Sequence, residues 1–451
     1  MSINFSTLQG LTIPEGVVTQ ITDASGRVLW AAANDKPVIL QVEKITSDTY
    51  AGETTYTGEQ FILLDIYPKK SNSVVNVTYG GLTKTLTFSG TNAQTVFFGT
   101  FNGVADTTTT PASGALIIEG GCKGFAVGTY KQYNSSTSKS TSKYCACVTT
   151  VTDWGSIEYL PSSAFYDCTS LALTSLPSGL TSIGSYAFYG CTSLALTSLP
   201  SGLTSIGSSA FYGCTSLALT SLPSGLTSIG SSAFYGCTSL ALTSLPSGLT
   251  SIGSSAFEGC KSLALTSLPS GLTSIGSRVF YGCTSLALTS LPNGITSIEG
   301  SAFYNCISLA LTSLPSGLTS IGSSAFYGCC KISIGEIPEG VTTIGSFAFA
   351  AYYNYKHSMP STIVLPSTIV EIGDNAFTYV TSSGSSYYSC ITDVIIIRAT
   401  TPPTISAGTF GAFSTSAVYG PDNITVPNDC GDAYKATDGW ISYADIITEG
   451  S

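Results

Sequence analysis

Residues 191–213 read Cys191-Thr-Ser-Leu-Ala-Leu-Thr-Ser-Leu-Pro-Ser-Gly-Leu-Thr-Ser-Ile-Gly-Ser-Ser-Ala-Phe-Tyr-Gly213, and residues 214–236 repeat them without a change. Cysteines recur at the same 23-residue step, at positions 145, 168, 191, 214, 237, 260, 283, 306 and 329. A fixed period of about 20–50 residues is typical of a solenoid, in which each repeat is one coil that stacks on the next. The sequence therefore predicts a solenoid, and residues 191–213 serve below as the template coil.

The first half of the template coil predicts a short strand. Leu194 and Leu196 are two residues apart, so on a strand both face the interior, while Ser193, Ala195 and Thr197 face outward. Pro and Gly turn the chain after this strand. The remaining apolar residues close the coil toward the core: Leu203, Ile206, Ala210 and Phe211.

The spacing Leu-Pro-x-x-Leu-x-x-Ile-Gly-x-x-Ala-Phe-x-x-Cys resembles the BspA-type leucine-rich repeat, a class common in bacterial surface adhesins. The resemblance covers residues 145–379 as about ten coils, of which the first, 145–167, is degraded. The strand departs from the family, which usually places its alternating Ile residues one position later. Residues 380–451 resemble the closing cap of this family, and a cap protects the open end of the last coil. The resemblance implies a mainly β chain built around a capped solenoid.

Two smaller β modules are predicted ahead of the array. In residues 1–33, strands at 17–21 and 27–30 flank a hairpin turn, and we interpret this segment as an attachment module. Residues 38–128 favour a small β-sandwich, with an immunoglobulin-like fold as one option. Its strand-like runs are 38–42, 60–67, 74–79, 82–88, 95–98 and 115–119.

Composition excludes several classes of function. Lys and Arg number 16 and Asp and Glu 26, so the net charge is −10, and no basic surface is present to bind nucleic acid. The single histidine, His357, argues against histidine-based catalytic triads and multi-histidine metal sites. We expect no metal, no cofactor and no enzymatic activity. No run of apolar residues is long enough to cross a membrane, and the first residues are not those of a signal peptide.

The cysteine column predicts small buried hydrophobes with free thiols. The sulfurs of equivalent cysteines one coil apart are expected to lie far beyond a disulfide bond length unless the side chains reorient, and the sequence contains no Cys-x-x-Cys pair.

Candidate binding residues lie where the 23-residue period breaks. The breaks at 352–359 and 379–389, and the insertion at 129–144, are rich in Tyr, Ser, Gly and Asn, the composition of antibody binding loops. The alternative is that they are only connecting segments. The candidates are Tyr352, Tyr353, Asn354, Tyr355, Tyr379, Tyr387, Tyr388, Tyr130 and Tyr133.

Two repeating surfaces are further candidates. Ser193 and Thr197, with their equivalents, form a hydroxyl face that either binds sugars or is simply solvated. A second stripe consists of tyrosines near the end of successive coils: Tyr189, Tyr212, Tyr235, Tyr281, Tyr304 and Tyr327.

An adhesin-like body without an export signal and with free cysteines favours a virion protein that folds in the cytoplasm and acts outside. Residues 11–30 resemble the start of tail-associated proteins of phages infecting gut Firmicutes. The leading hypothesis is a phage tail adhesin that contacts a bacterial surface protein or glycan and joins other virion tail proteins through residues 1–33. The alternatives are a bacterial cell-surface or secreted adhesin and a structural spacer of a virion. The sequence leaves open whether the chain forms a homo-oligomer.

Overall fold

The structure, a computed structural model, divides into two compact units, residues 1–125 with 148–158 and residues 126–147 with 159–451. The described residues are 20–22, 28–31, 38–42, 61–68, 71–79, 82–90, 92–101, 104–105, 114–120, 122–127, 129–134, 139–144, 148–155, 157–352, 358–380, 390–406, 408–411, 413–414, 417–418 and 420–450.

Short strands dominate the part of the chain before the coils. They are β1 (Gln20–Thr22), β2 (Val28–Ala31), β3 (Val38–Val42), β4 (Phe61–Pro68), β5 (Val74–Tyr79), β6 (Leu82–Thr87), β7 (Gln94–Phe101), β8 (Val104–Ala105), β9 (Gly114–Gly120), β10 (Cys122–Val127), β11 (Thr129–Asn134), β12 (Lys139–Tyr144) and β13 (Val148–Trp154). β1 and β2 form the antiparallel hairpin expected in residues 1–33. Two sheets follow, with strand orders β10-β4-β7-β8 and β13-β3-β9-β5-β6.

Each run predicted between 38 and 128 contains an observed strand. Both sheets contribute buried side chains, such as Ile66 from β4 and Val77 from β5. β13 pairs antiparallel with β3, so residues 148–158 belong to the first unit. The repeat spacing predicts that these residues belong to the first, degraded coil. That prediction is wrong, because β13 pairs with β3 of the first unit. The array therefore begins at Tyr159, and the immunoglobulin-like fold stays a prediction.

The second unit contains the hairpin β11–β12, the coils and the C-terminal cap. Its strands after the hairpin are β14 (Tyr159–Leu160), β15 (Ser182–Ile183), β16 (Ser205–Ile206), β17 (Ser228–Ile229), β18 (Ser251–Ile252), β19 (Ser274–Ile275), β20 (Ser297–Ile298), β21 (Ser320–Ile321), β22 (Thr343–Ile344), β23 (Ala351–Tyr352), β24 (Thr362–Leu365), β25 (Glu371–Ile372), β26 (Tyr379–Val380), β27 (Val394–Ile397), β28 (Phe413–Ser414), β29 (Ala417–Val418), β30 (Asn423–Val426) and β31 (Ile447–Glu449). The parallel pairing of coil upon coil confirms the predicted solenoid.

The observed strand of each template-like coil is not where the sequence placed it. It lies at the Ser-Ile step, Ser205–Ile206 in the template, and pairs with the same step one coil away. Around Leu194 and Leu196 no strand is assigned, because this segment makes one backbone bond to each neighbouring coil, from the Ala195 amide to the Leu173 carbonyl and from the Ala218 amide to the Leu196 carbonyl. The side-chain directions are nevertheless as predicted, since both leucines are fully buried.

Beside the buried leucines and isoleucines, two further columns of side chains complete the core of the array. Phenylalanine rings stack face to face along the coils, with centroids 5.4 Å apart for Phe211 and Phe234. Beside them, the column cysteines from Cys191 to Cys329 each donate a thiol hydrogen bond to a phenylalanine carbonyl, as Cys237 does to Phe211 at 3.0 Å. The cysteines whose side chains are described are free, and burial raises the pKa of the Cys237 thiol well above its usual range.

A cap completes the last coils. β24, β27, β30 and β31 form a four-stranded parallel sheet, covered by α1 (Gly431–Ala436) and a 3₁₀ helix (Ile441–Ile446). Trp440, Tyr434 and Tyr443 are fully buried. The Trp440 indole donates to the Pro403 carbonyl at 2.8 Å, and the Tyr434 hydroxyl donates to the Ala399 carbonyl at 2.7 Å.

Candidate functional site

The two tyrosine-rich breaks of the period begin side by side in the structure. β23 pairs in parallel with β26, which places Tyr352 beside Val380 and Ala351 beside Tyr379. Tyr379 is half-buried, and burial, followed by the nearby Cys390, raises its pKa. The structure does not describe the side chain of Tyr352. The other candidates of these breaks, Tyr353, Asn354, Tyr355, Tyr387 and Tyr388, lie outside the described residues, as does His357.

The upstream insertion forms a hairpin. Tyr130 and Tyr133 lie on β11, opposite Lys143 and Ser140 of β12. Their side chains lie outside the description, and their role in binding stays a prediction.

The hydroxyl face is solvent-exposed, as predicted. Ser193 and Thr197 are exposed, and Ala195 between them is half-buried. Beside this face, threonine hydroxyls donate to the carbonyl one coil earlier, as Thr215 does to Thr192 at 3.4 Å. These bonds hold the hydroxyl groups in a regular column.

Two tyrosine columns run along the coils, and we define them by their residues. The first column is Tyr166, Tyr189, Tyr212 and Tyr235, and the second is Tyr281, Tyr304 and Tyr327. Neighbouring rings stack nearly parallel, with centroids 4.3 Å apart for Tyr212 and Tyr235. Burial, followed by the charges of Tyr235 and Tyr189, raises the pKa of Tyr212 to about 12.

The columns are flanked by a variable position that sequence reasoning missed. In each coil the third residue after the Ser-Ile step has a left-handed backbone although it is not glycine, Ser209 in the template with φ of 53°. Three coils carry a large side chain there, and each one contacts the tyrosine columns. The ring centroids of Tyr186 and Tyr189 are 6.1 Å apart, and those of Phe347 and Tyr327 are 6.4 Å apart. The Arg278 guanidinium lies over the Tyr281 ring. Bulky residues in this backbone conformation are uncommon, and such residues cluster at functional sites. Aligning the coils against the template reveals these three departures.

A groove of about 360 Å³ lies beside the strands of the first coils. Its lining includes Tyr159, Pro161, Ser185 and Gly207. Among the described residues no group of three or more His, Cys, Asp or Glu side chains could hold a metal ion. No helix in the described part of the chain is long and apolar enough to span a membrane.

Stacked 23-residue coils with leucines inside and polar columns outside define a leucine-rich repeat solenoid. The family model for the BspA type Leucine rich repeat region matches residues 158–287 and 273–401, in 6 copies, which is more than half of the chain. The chain belongs to the BspA-type leucine-rich repeat family, which confirms the resemblance seen in the sequence.

Several solved structures are similar to this chain. A leucine-rich repeat protein from T. pallidum is 33% identical over 40% of this chain and 87% of its own, with a TM-score of 0.31. A leucine-rich repeat protein from Bacteroides ovatus is 17% identical over 72% of this chain and 98% of its own, with a TM-score of 0.40. The pneumococcal vaccine antigen PcpA is 18% identical over 66% of this chain and 78% of its own, with a TM-score of 0.39. Among proteins of curated function, none matches the chain.

Proposed function

We propose that this chain is a non-enzymatic adhesin of the bacterial cell surface, whose solenoid contacts a protein or glycan of another cell. The observation that carries the proposal is the pair of tyrosine columns on the coil surface. Tyrosine supplies a large contact area with a polar tip at low entropic cost, which suits it to binding surfaces. The membership of the BspA-type family supports the same assignment.

The hydroxyl face is the competing contact surface on the same coils. Identical coils repeat the same groups along the array, so either surface suits a partner that itself repeats. A third candidate surface starts at the pairing of β23 with β26, where the two tyrosine-rich breaks begin.

The experiment is binding of the labelled full chain to a panel of intact bacterial and animal cells. One variant carries Tyr189→Ser, Tyr212→Ser and Tyr235→Ser, and its matched variant carries Ser193→Ala, Ser216→Ala and Ser239→Ala on the hydroxyl face. We expect the tyrosine variant to lose binding and the hydroxyl variant to keep it. Loss in the hydroxyl variant alone moves the contact to that face. No binding of the unaltered chain to any cell contradicts the proposal.

The second candidate is the phage tail adhesin, with residues 1–33 as the attachment module. It is favoured by the resemblance of residues 11–30 to tail-associated proteins. Immunogold labelling distinguishes the two, because the cell-surface adhesin labels the envelope of the producing bacterium and the tail adhesin labels purified virions.

A further inference from the structure

The charged residues of the regular coils gather at one place. Residues 168–328 contain four charged side chains, Glu258, Lys261, Arg278 and Glu299. All four fall on neighbouring coils, and their charges sum to zero. The Glu299 carboxylate accepts a hydrogen bond from the Ser277 amide at 2.9 Å, next to Arg278. Every other coil surface of this stretch is uncharged, so this locus is chemically distinct.

Glu258 interrupts the tyrosine columns. It occupies the position that holds Tyr235 one coil earlier and Tyr281 one coil later. Its side chain is only 8% exposed, and one carboxylate oxygen lies 3.6 Å from Nη1 of Arg278. The other oxygen, Oε2, is buried without a hydrogen-bond partner among the described residues. A buried acceptor without a donor is costly, so it calls for an explanation.

The Ser-Ile strand ladder is interrupted at this locus, although the coils stay bonded beside Glu258, where the Gly259 amide donates to the Tyr281 carbonyl at 2.7 Å. Val279 replaces the template alanine, and the Phe257 and Phe280 centroids are 5.8 Å apart, against 5.5 Å for the next pair along the column. Within the described coils, β18 and β19 do not pair, which divides the ladder into two five-stranded sheets. A Cβ added at Gly276 would meet no atom nearer than 3.5 Å, whereas one at Gly253 would lie 2.4 Å from the Ser231 amide. The larger valine side chain accounts for the wider spacing.

Arg278 occupies the interval left by the missing tyrosine. Its guanidinium lies 4.6 Å from the Tyr281 centroid, on the ring face that Tyr304 does not cover. Two coil steps of about 4.8 Å separate Tyr235 from Tyr281. That interval admits one ring, because contact on both faces needs about 3.5–4.0 Å each. The Arg278 side chain is 50% exposed, so it can move into solvent and open the interval.

We propose that this interval, which we call the slot and define by Tyr235, Glu258, Arg278 and Tyr281, binds one pyranose ring of a neutral glycan. A sugar hydroxyl donates to the unpartnered Glu258 Oε2, and a neighbouring hydroxyl accepts from the displaced Arg278 guanidinium. The C–H face of the sugar packs on the Tyr235 ring. The zero net charge of the locus favours a neutral ligand over an acidic or basic polymer. The assignment rests on the proposed adhesin function and names its ligand class.

The identical coils allow the slot to be removed and rebuilt. A restored variant carries Glu258→Tyr, Arg278→Ser and Val279→Ala, which return the template residues and complete the tyrosine column. A relocated variant adds Tyr212→Glu, Ser232→Arg and Ala233→Val to the restored chain, which places the same groups two coils earlier. Both variants keep residues that the array already accommodates, and a thermal transition no lower than that of the unaltered chain for the restored variant shows that it folds.

The test is binding of each full chain to arrayed neutral oligosaccharides of glucose, galactose, mannose and N-acetylglucosamine, followed by calorimetric titration. We expect the unaltered chain to bind at least one, the restored variant to lose at least tenfold in affinity, and the relocated variant to regain it. No binding to any neutral oligosaccharide, or equal binding by the restored variant, overturns the assignment.

Cell binding separates the slot from the proposed function. If the restored variant still binds cells, the adhesin stands and the slot is wrong. If the unaltered chain binds oligosaccharides but no cell, the slot stands and the adhesin is wrong. A third outcome is that the restored variant no longer binds cells, while binding of the unaltered chain survives periodate oxidation of the cells and disappears after protease treatment. In that case the ligand of the slot is a protein and the glycan is excluded.

Discussion

The corner glycine of each coil is expected to be irreplaceable where the coils are in register. At Gly230 an added Cβ would lie 2.5 Å from the Ser208 amide nitrogen and 2.6 Å from the Gly207 carbonyl carbon of the preceding coil. Both atoms are backbone, so Gly230→Ala must push two coils apart. Overpacking of this kind costs about 1–3 kcal/mol, and a backbone clash belongs at the upper end of that range.

The same coil offers a matched control. At Gly225 the nearest atom to an added Cβ is the Leu203 carbonyl oxygen at 3.8 Å, an ordinary contact. We expect Gly225→Ala to change stability by less than about 1 kcal/mol. Gly276 holds the same coil position as Gly230, but the strand ladder is interrupted there and the nearest atom is at 3.5 Å. Gly276→Ala should therefore cost less than half as much as Gly230→Ala.

Differential scanning calorimetry of the full chains measures these differences. A loss of about 3 kcal/mol corresponds to a decrease of roughly 6–12 °C in the Tm of a 150–250-residue unit. The unit that contains Gly230 is larger, so we expect a decrease of about 6 °C or less for Gly230→Ala. Gly225→Ala should stay within about 2 °C of the unaltered chain. Equal decreases for Gly230→Ala and Gly276→Ala would refute the interruption of the strand ladder at this position. Equal effects of Gly230→Ala and Gly225→Ala would refute the close backbone approach itself.

Three further predictions concern the thiols, the tyrosine columns and the cap. The buried coil cysteines should resist alkylation at pH 8 in the native chain while the half-exposed Cys430 reacts, since burial raises the pKa of the coil thiols; mass spectrometry that finds both classes modified equally contradicts this. The raised pKa of Tyr212 means that the folded chain favours the neutral phenol, so the stability that this tyrosine contributes is complete below pH 10 and is lost as the pH rises toward about 12. Tyr212→Phe should therefore make Tm less dependent on pH between these values. An unchanged dependence of Tm on pH would be the contrary result. Trp440→Phe removes the hydrogen bond to the Pro403 carbonyl and should cost about 1–3 kcal/mol of unfolding free energy. Ile441→Ala, at a residue that is 59% exposed, should be nearly neutral, and equal losses on urea unfolding would argue against Trp440 as a buried anchor.

The 23-residue period could be recognised in the sequence because equivalent positions of successive coils have the same environment and therefore the same type of residue. The spacing of Leu194 and Leu196 correctly predicted which side chains are buried. The strand position was not predictable from that spacing, because leucine alternation specifies side-chain direction and not which backbone groups meet between coils. The Ser-Ile step has a close approach at the glycine that follows it, and the regular coil-to-coil pairing forms there.

The candidate site was predicted only in part. The tyrosine stripe was visible in the sequence. Only the three-dimensional structure shows that its rings stack, that left-handed residues flank it and that one oxygen of Glu258 is buried. Glu258 in the sequence alone is one acid among uncharged coils. Its significance depends on burial and on Arg278, which lies twenty residues further along the chain and one coil away.

The sequence by itself determined the solenoid, its repeat length, its buried leucine, phenylalanine and cysteine positions and its cap, because these follow from a period repeated many times. The tertiary structure decided which backbone groups pair, that residues 148–158 join the first unit, and that the strand ladder is interrupted between β18 and β19. These features depend on contacts between residues distant in the chain. A periodic sequence specifies what each coil contains, whereas only stacking reveals where one substitution changes the fit between two coils.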